Sequence, residues 1–145
     1  MNHLGYDEMN ISQIPALAVL EKLGYQIYRK EDSEVVTNEL RENLYSVILK
    51  PVLREQLRLI NSYEFKGKIH SFSDANIEKA LLDIDMPLTD GLIKTNEKIY
   101  DALMLGRSYE ENISSVDGKR SFNINYIDFE NPENNVFHAI EEFSV

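Results

Sequence analysis

The C-terminal stretch of the sequence constrains the fold most, because it reads as two strands joined by a polar turn. Residues 126–129 (YIDF) end an apolar run, and 131–135 (NPENN) follow. Asn tolerates left-handed backbone angles and Pro presets one turn dihedral, so this segment predicts a turn. Val136–Val145 is apolar-rich, lacks Gly and Pro, and is predicted as a strand that needs a neighbour. We therefore expect the front part of a larger protein, whose unpaired strand edge favours an edge-to-edge or swapped homodimer.

Composition excludes several classes of protein. The formal net charge is -10 and there are no cysteines, which rules out disulfides and thiolate metal sites. No apolar run reaches membrane-spanning length and no signal-peptide pattern is visible, so we expect one cytoplasmic domain over residues 1–145, without membrane contact.

The negative charge of the chain as a whole repels nucleic acid. Local basic spots are interpreted mainly as solvated helix faces, with DNA contact as the less favoured reading: Lys50, Arg54, Arg58, Lys66 and Lys68.

Local sequence signals predict a helix followed by a strand near the beginning of the chain. Ser12 is a good N-cap for a helix that runs to about Leu23, and Pro15 is tolerated in its first turn. Gly24 follows at the usual left-handed C-cap position. Residues 25–28 (YQIY) then alternate as a short strand.

Two further helices are predicted on either side of Pro51. The first runs from Ser33 or Asn38 to Leu49, and the second follows Pro51, which fits the first turn of a helix. Their apolar faces are Leu40, Leu44, Val47 and Ile48 in the first, and Leu53, Leu57 and Ile60 in the second.

The middle of the chain predicts a hairpin and two more helices. Gly67 lies between short alternating runs, and Ser73 is an N-cap for the next helix. Asp90-Gly91 predicts a turn before a helix that starts near Thr95. The predicted inward residues are Ile77, Ala80, Leu81 and Ile84 in the first helix, and Ile99, Tyr100, Leu103 and Met104 in the second, which Gly106 ends.

After Arg107 the sequence becomes extended. Tyr109–Ile113 and Phe122–Ile127 are predicted strands, and Asp117-Gly118 is a hairpin-turn signal between them. The predicted class is α+β (α/β), with a helical front half packed on a mostly antiparallel sheet. The early helix-strand unit is expected to pack on that sheet.

Spacing alone shows no active site. His3, His70 and His138 are isolated from one another, without metal-ligand spacing. Glu141 shares a strand face with apolar residues, which leaves two interpretations. Either it is a carboxylate with a raised pKa and a functional role, or, as we favour, its face is only partly covered or it pairs with a base elsewhere. Glu142 points to the other face. The acids Asp83, Asp85 and Asp90 do not fit a calcium-loop register.

Four segments resemble the N-terminal region of the restriction subunit of type I restriction-modification enzymes. They are residues 10–25 (NISQIPALAVLEKLGY), 53–61 (LREQLRLIN), 73–101 (SDANIEKALLDIDMPLTDGLIKTNEKIYD) and 126–145 (YIDFENPENNVFHAIEEFSV). The asparagine turn with its following strand is the most specific of them.

The resemblance implies a PD-(D/E)xK nuclease fused to an ATP-driven DNA translocase that works with methyltransferase and specificity subunits. The family's Mg²⁺-binding Asp and Glu-x-Lys motif come after the strand equivalent to Val136–Val145, so no metal or catalytic residue transfers to this chain. We expect the fragment to be an inactive scaffold that binds neither Mg²⁺ nor ATP. Gln13 matches the place of an early Glu near the metal site in many relatives, and is equally well an exposed first-turn residue.

Two alternatives remain at the sequence level. The acidic helical segment from about Asn38 to Gly106 is larger than a minimal nuclease core, which favours a protein-interaction module that docks the motor or partner subunits. A small-molecule binder is the least favoured alternative, because glycine loops and convergent polar groups are missing.

Overall fold

A computed structural model describes residues 13–85, 87–141 and 143. The chain divides into two compact units. The terminal unit combines Met1–Val47 with Val136–Val145, and the central unit is Ile48–Asn135. Their elements confirm the mixed α+β class, whereas the partial PD-(D/E)xK fold stays a prediction.

The terminal unit begins with the predicted helix-strand pair. Helix α1 spans Ile14–Lys22 with Pro15 in its first turn, and Gly24 ends it with a φ of 94°. Strand β1 is Gln26–Tyr28. Ser12, the predicted cap, lies outside the described residues. Among the large apolar side chains of α1 only Leu17 is fully buried, and the others are half-buried or exposed.

The predicted long final strand is wrong in length. Strand β6 covers only His138–Ile140 within the described residues and pairs in parallel with β1, in the register Gln26↔His138. Its partner is equally short, which limits how far the ladder can extend. Beyond the ladder, Phe137 stacks on Tyr25 with ring centroids 5.2 Å apart. A homodimer through the strand edge stays a prediction.

The predicted helix up to Leu49 is also wrong. A short 3₁₀ turn at Lys30–Asp32 leads into a single helical turn, α2 at Ser33–Val35, and a π-helical turn at Val36–Leu40. Arg41 then adopts an extended backbone. Its buried guanidinium donates to the Thr37 hydroxyl at 3.1 Å and the Leu44 carbonyl at 3.2 Å. The chain folds back around this side chain, and the predicted inward residues Leu44 and Val47 are exposed.

The central unit contains an antiparallel helix pair. Helix α3 spans Lys50–Ile60 with Pro51 in its first turn, and α4 spans Asp74–Ile84. The Ser73 hydroxyl accepts the Asn76 N–H, which confirms the predicted cap. Between the helices, β2 (Tyr63–Phe65) and β3 (Lys68–His70) form the predicted hairpin. The core of the unit contains Leu57, Phe72, Ile77, Ala80, Leu81, Ala102, Tyr109, Ile124 and Tyr126.

Helix α5 spans Leu92–Leu105, and its predicted inward face is partly wrong. The fully buried residues are the small side chains Thr95 and Ala102, whereas Tyr100 and Met104 face solvent. Gly106 ends the helix with a φ of 70°. A Cβ there would collide with the Ile124 carbonyl, so this position requires glycine for space as well as for conformation.

A longer hairpin completes the central unit. Strands β4 (Arg107–Ser114) and β5 (Gly118–Ile124) pair antiparallel around the predicted turn at Asp117-Gly118. The predicted continuation of β5 to Ile127 is wrong. The Asn61 side chain exchanges two hydrogen bonds of 2.8 Å with the backbone of Asn125, so an amide side chain takes the place of a strand partner.

The asparagine turn is confirmed as a hydrogen-bonded unit around Asp128. The Asp128 carboxylate accepts the Asn131 N–H at 2.9 Å and the Asn134 side-chain amide at 3.0 Å. The Asn135 side chain accepts the Asp128 N–H and donates back to the Asp128 carbonyl. The hydrogen bond from the Asn131 N–H, followed by the one from the Asn134 side chain, lowers the pKa of Asp128. Pro132–Asn134 form one 3₁₀ turn.

No helix in the described ranges is both long and apolar enough to cross a membrane.

Candidate functional site at the carboxyl ends of β1 and β6

The candidate site lies in the terminal unit, where β1 and β6 end at the same edge. The strands are parallel, so their carboxyl ends meet. Arg29 and Lys30 follow β1, and Glu141 follows β6. In sheets with parallel strands, ligands commonly bind outside these ends. This edge therefore brings the adjacent cations Arg29 and Lys30 near the carboxylate of Glu141, which lies far from them in the sequence.

Glu141 is held in place by β1. Its N–H donates to the Tyr28 carbonyl at 2.8 Å, which extends the ladder by one bond. Its side-chain Oε2 accepts the Lys30 backbone N–H at 3.0 Å. Glu141 is half-buried, as expected for a partly covered face, and its described partner is a backbone donor instead of the base expected from the sequence. A functional role for this carboxylate stays a prediction.

A small recess joins Gln13 to Glu141. It has a volume of about 180 Å³ and is lined by Gln13, Ala16, Leu17, Ile140 and Glu141. Gln13 is half-buried and immediately precedes α1. The structure thus brings the one predicted site residue beside the strand-end carboxylate. Whether Gln13 acts near a metal stays a prediction.

A larger cavity of about 360 Å³ shares Ile140 and Glu141 with this recess. Val36, Ile140 and Phe143 supply its apolar surface, and Arg41 lies with its guanidinium carbon 4.7 Å from the centre of the Phe143 ring. Such a cation–π contact holds the guanidinium plane against the aromatic face. The remaining lining residues are polar or charged: Arg29, Lys30, Ser33, Thr37 and Glu141.

Comparison with known proteins gives the family. Residues 5–145 match the family described as the type I restriction enzyme R protein N terminus. The chain belongs to this family. Searches of curated proteins and of solved structures found no match.

Sequence reasoning missed Arg41 and the neighbouring cations of this restriction-enzyme region. Arg29 and Lys30 directly follow the predicted strand 25–28, and the carboxyl-end rule would have drawn attention to them had the parallel pairing been known. Arg41 gave no local signal, because the periodicity around it predicted a helix that does not form.

The two described histidines stack on tyrosine rings of neighbouring strands. His138 stacks on Tyr28 across the β1–β6 pair with centroids 5.6 Å apart and planes 5° from parallel. Burial lowers the pKa of His138 below its ordinary value of 6.5. His70 stacks on Tyr63 across the β2–β3 hairpin. His3 lies outside the described residues.

The described residues of this R-protein region do not fit a complete magnesium site. No group of three or more potential metal-ligating side chains occurs among them. Glu141 contributes the only carboxylate among the described residues that line the small recess and the larger cavity. One of its oxygens already accepts the Lys30 N–H. Mg²⁺ demands a near-ideal octahedral set of oxygen ligands, and one partly engaged carboxylate leaves most of that set unfilled. No chemical step through a metal is therefore derived from these side chains.

The acidic residues of the central unit are engaged in separate contacts. Asp83 accepts the Tyr109 hydroxyl at 2.6 Å, Asp85 pairs with Lys50 at 2.9 Å, and Asp90 pairs with Lys98 at 2.6 Å. Burial, with the bond to Asp83, strongly raises the pKa of Tyr109. These three carboxylates therefore connect elements of the central unit.

Four of the five basic residues predicted on solvated faces pair with carboxylates, although the Arg58 and Lys66 side chains remain 48% and 68% exposed. Arg54 and Arg58 on α3 contact Glu78 and Asp74 on α4, as expected for antiparallel helices. Lys50 contacts Asp85, which directly follows α4. Lys66 pairs with Asp117 across the turns of the two hairpins. Because acidic partners oppose these cations, the α3 spot is not a phosphate-binding stripe.

Proposed function

We propose that this region forms one wall of the nuclease site of a type I restriction enzyme R protein. The observation that carries the proposal is the β1–β6 edge, where parallel pairing brings Gln13 and Glu141 to one recess. The family membership supports the nuclease context. In this proposal Gln13 and Glu141 are positioning residues that fix the edge against which the remaining ligands of the site assemble.

The wider activity belongs to the whole R protein. There we propose ATP-dependent DNA translocation and Mg²⁺-dependent cleavage of unmodified foreign DNA in the cytoplasm. DNA, a methyltransferase subunit and a specificity subunit are the partners. The single carboxylate at the described edge and the scattered glycines support the assignment of both cofactors to other parts of the protein.

The decisive experiment uses the whole R protein assembled with its methyltransferase and specificity subunits. A Q13A/E141A variant should cut DNA about tenfold or more slowly, because small misplacements at a reacting centre cost one to two orders of magnitude. ATP hydrolysis should stay unchanged. The matched control is Q26A/E21A, which removes one exposed Gln and one exposed Glu from the same unit.

Two results would contradict the wall assignment. Unchanged cleavage by Q13A/E141A would remove these residues from the site. A parallel loss of cleavage, ATP hydrolysis and subunit assembly would instead favour the interaction-module alternative. Thermal unfolding of each variant separates both results from a general loss of folding.

The isolated 145-residue chain should not cut DNA. A described edge with one carboxylate offers too few ligands for catalytic Mg²⁺. Nicking of supercoiled plasmid by the purified chain in the presence of Mg²⁺, abolished by a chelator, would refute this expectation.

A further inference from the structure

Helix α5 of the central unit has two unlike faces. Its inner face is buried through Thr95 and Ala102, and Ile99 and Leu103 beside them are half-buried. Ala102 belongs to the core of the central unit and Leu103 packs against that core, so this face holds the helix against its own unit. A helix that packs on one side only is normally polar on the other.

The outer face of α5 is not polar. Ile93, Tyr100 and Met104 are 74%, 63% and 47% exposed. At about 100° per residue these three positions fall within roughly 40° of one another, directly opposite Ala102. Single exposed apolar residues are ordinary, but three aligned at i, i+7 and i+11 are typical of the anchors with which helices bind each other.

The charges along this line are acidic. Glu97 lies between Ile93 and Tyr100, and Asp101 lines the same shallow surface recess. Lys98 is directed to Asp90, with which it pairs at 2.6 Å. Lys94 and Asp101 each lie about a quarter turn from Ile93 on the same side of the helix, and Glu97, which lies closer, makes the charge nearest this line negative. An apolar line flanked by carboxylates is complementary to a partner with apolar anchors and basic flanks.

We propose that the outer face of α5, formed by Ile93, Glu97, Tyr100 and Met104, binds a basic amphipathic helix of a partner protein. Two other occupants fit less well. A second copy of the chain would bring Glu97 and Asp101 against their own equivalents, and like charges repel. Nucleic acid would meet the same carboxylates with its phosphates. The proposal stands independently of the nuclease assignment, because it concerns another face in the other unit.

The test uses the purified 145-residue chain and a fluorescent synthetic peptide of about 20 residues, with Leu at the a and d heptad positions and Lys elsewhere. Fluorescence anisotropy should show saturable binding. The I93Q/Y100Q variant should weaken binding about tenfold or more, as loss of aromatic and aliphatic anchors does. The matched control L59Q/V116Q alters two apolar residues elsewhere in the central unit that are 69% and 91% exposed, and it should bind like the unchanged chain.

A second pair of variants tests the charges. E97Q/D101N should weaken binding and flatten its dependence on salt concentration. E55Q/E64Q changes the net charge equally at exposed positions on other elements and should have a much smaller effect. A peptide with Glu in place of Lys should bind more weakly than the Lys peptide.

Several outcomes would overturn the proposal. These are the absence of saturable binding, equal weakening by L59Q/V116Q, and equal weakening by E55Q/E64Q. A dimer in sedimentation that I93Q/Y100Q abolishes would assign the face to a second copy instead. Circular dichroism shows that each variant has kept its helices, and hydrogen exchange that slows in α5 on peptide binding would place the contact directly.

Discussion

The central unit satisfies its buried polar groups internally, whereas the terminal unit places its polar groups around open recesses. Glu111 in the central unit is buried and accepts the Ser73 N–H, the Ser73 hydroxyl and the Asn76 amide, at 2.9, 3.0 and 2.9 Å. Glu141 in the terminal unit accepts one described backbone N–H and lines both recesses. The difference separates a carboxylate that is buried and fully engaged within its unit from one that is accessible at two recesses.

The two units also differ in the length of their ladders. Strands β4 and β5 have 8 and 7 residues, whereas β1 and β6 have 3 each. Short ladders open more readily, because fewer hydrogen bonds and side-chain contacts must break together. The unit that carries the candidate nuclease edge is therefore expected to be the more easily opened of the two. Four measurements test this comparison.

The largest expected effect is the loss of stability when the Leu57 side chain is truncated in the core of the central unit. This side chain is 0% exposed, so Leu57→Ala should lower the free energy of unfolding by about 2–5 kcal/mol. Leu59→Ala, at a position 69% exposed on the same helix, should change it by less than about 0.5 kcal/mol. Urea unfolding measures both. Equal losses would show that burial at Leu57 does not stabilise the central unit.

The next effect concerns the buried carboxylate. Glu111→Ala should lower the free energy of unfolding by about 1–3 kcal/mol, because it leaves buried donors of Ser73 and Asn76 unsatisfied. Glu110→Ala is the matched control, since this neighbour on β4 is exposed. If the two variants unfold at the same urea concentration, the buried network does not stabilise the unit.

A smaller effect is expected from the ion pairs between α3 and α4. Arg54 contacts Glu78 at 2.5 and 3.2 Å, but the Glu78 side chain is 47% exposed, so Arg54→Gln should cost no more than about 1 kcal/mol. The hydrogen bond from Arg54 lowers the pKa of Glu78 below 4.5. This stabilisation is present above about pH 4.5 and disappears as the pH falls through the lowered pKa.

The control for that pair is Arg58→Gln, whose partner Asp74 is still more exposed. We expect it to cost less than Arg54→Gln in thermal unfolding at pH 7. A larger cost for Arg58→Gln would mean that exposure does not rank these pairs.

The smallest effect is local and belongs to the terminal unit. Burial lowers the pKa of His138, so the open state binds a proton more readily than the closed one. The β1–β6 pair should be fully stable above about pH 6.5 and should loosen as the pH falls through the lowered pKa. Hydrogen-exchange protection factors, corrected for intrinsic rates, should fall at Gln26–Tyr28 between pH 7.5 and 5.5.

Two comparisons sharpen the His138 measurement. Amides of the β4–β5 ladder serve as the internal reference and should keep their protection over the same range. His138→Gln should remove the pH dependence at β1. If the variant retains it, another group controls the opening.

Local chemistry was readable from the sequence wherever neighbours in the chain decide the structure. Ser73 caps α4, Gly67 turns the short hairpin, and Asp117-Gly118 turns the long one, as predicted. Each of these depends on backbone angles or hydrogen bonds within a few residues. The family resemblance likewise followed from the sequence alone and is confirmed.

The wrong predictions occur where distant residues compete with local preference. The helix predicted towards Leu49 gives way to a bend around the buried Arg41 guanidinium, and β5 stops where Asn61 binds Asn125. The inner face of α5 was misassigned because two apolar lines run along that helix, and periodicity cannot tell which one meets the core. That ambiguity is also what exposes Ile93, Tyr100 and Met104 to a partner.

The candidate site likewise depends partly on local sequence signals and partly on contacts between distant residues. The resemblance pointed to Gln13, and the strand pattern drew attention to Glu141, but nothing in the sequence placed them together. Their meeting depends on the parallel β1–β6 pair, and the bond from Lys30 to Glu141 spans 111 residues. The sequence by itself determined caps, turns, class and family, because short-range sterics and hydrogen bonding act within each segment. Only the tertiary structure decided which faces are buried and which side chains share a recess, because those depend on pairings between residues far apart in the chain.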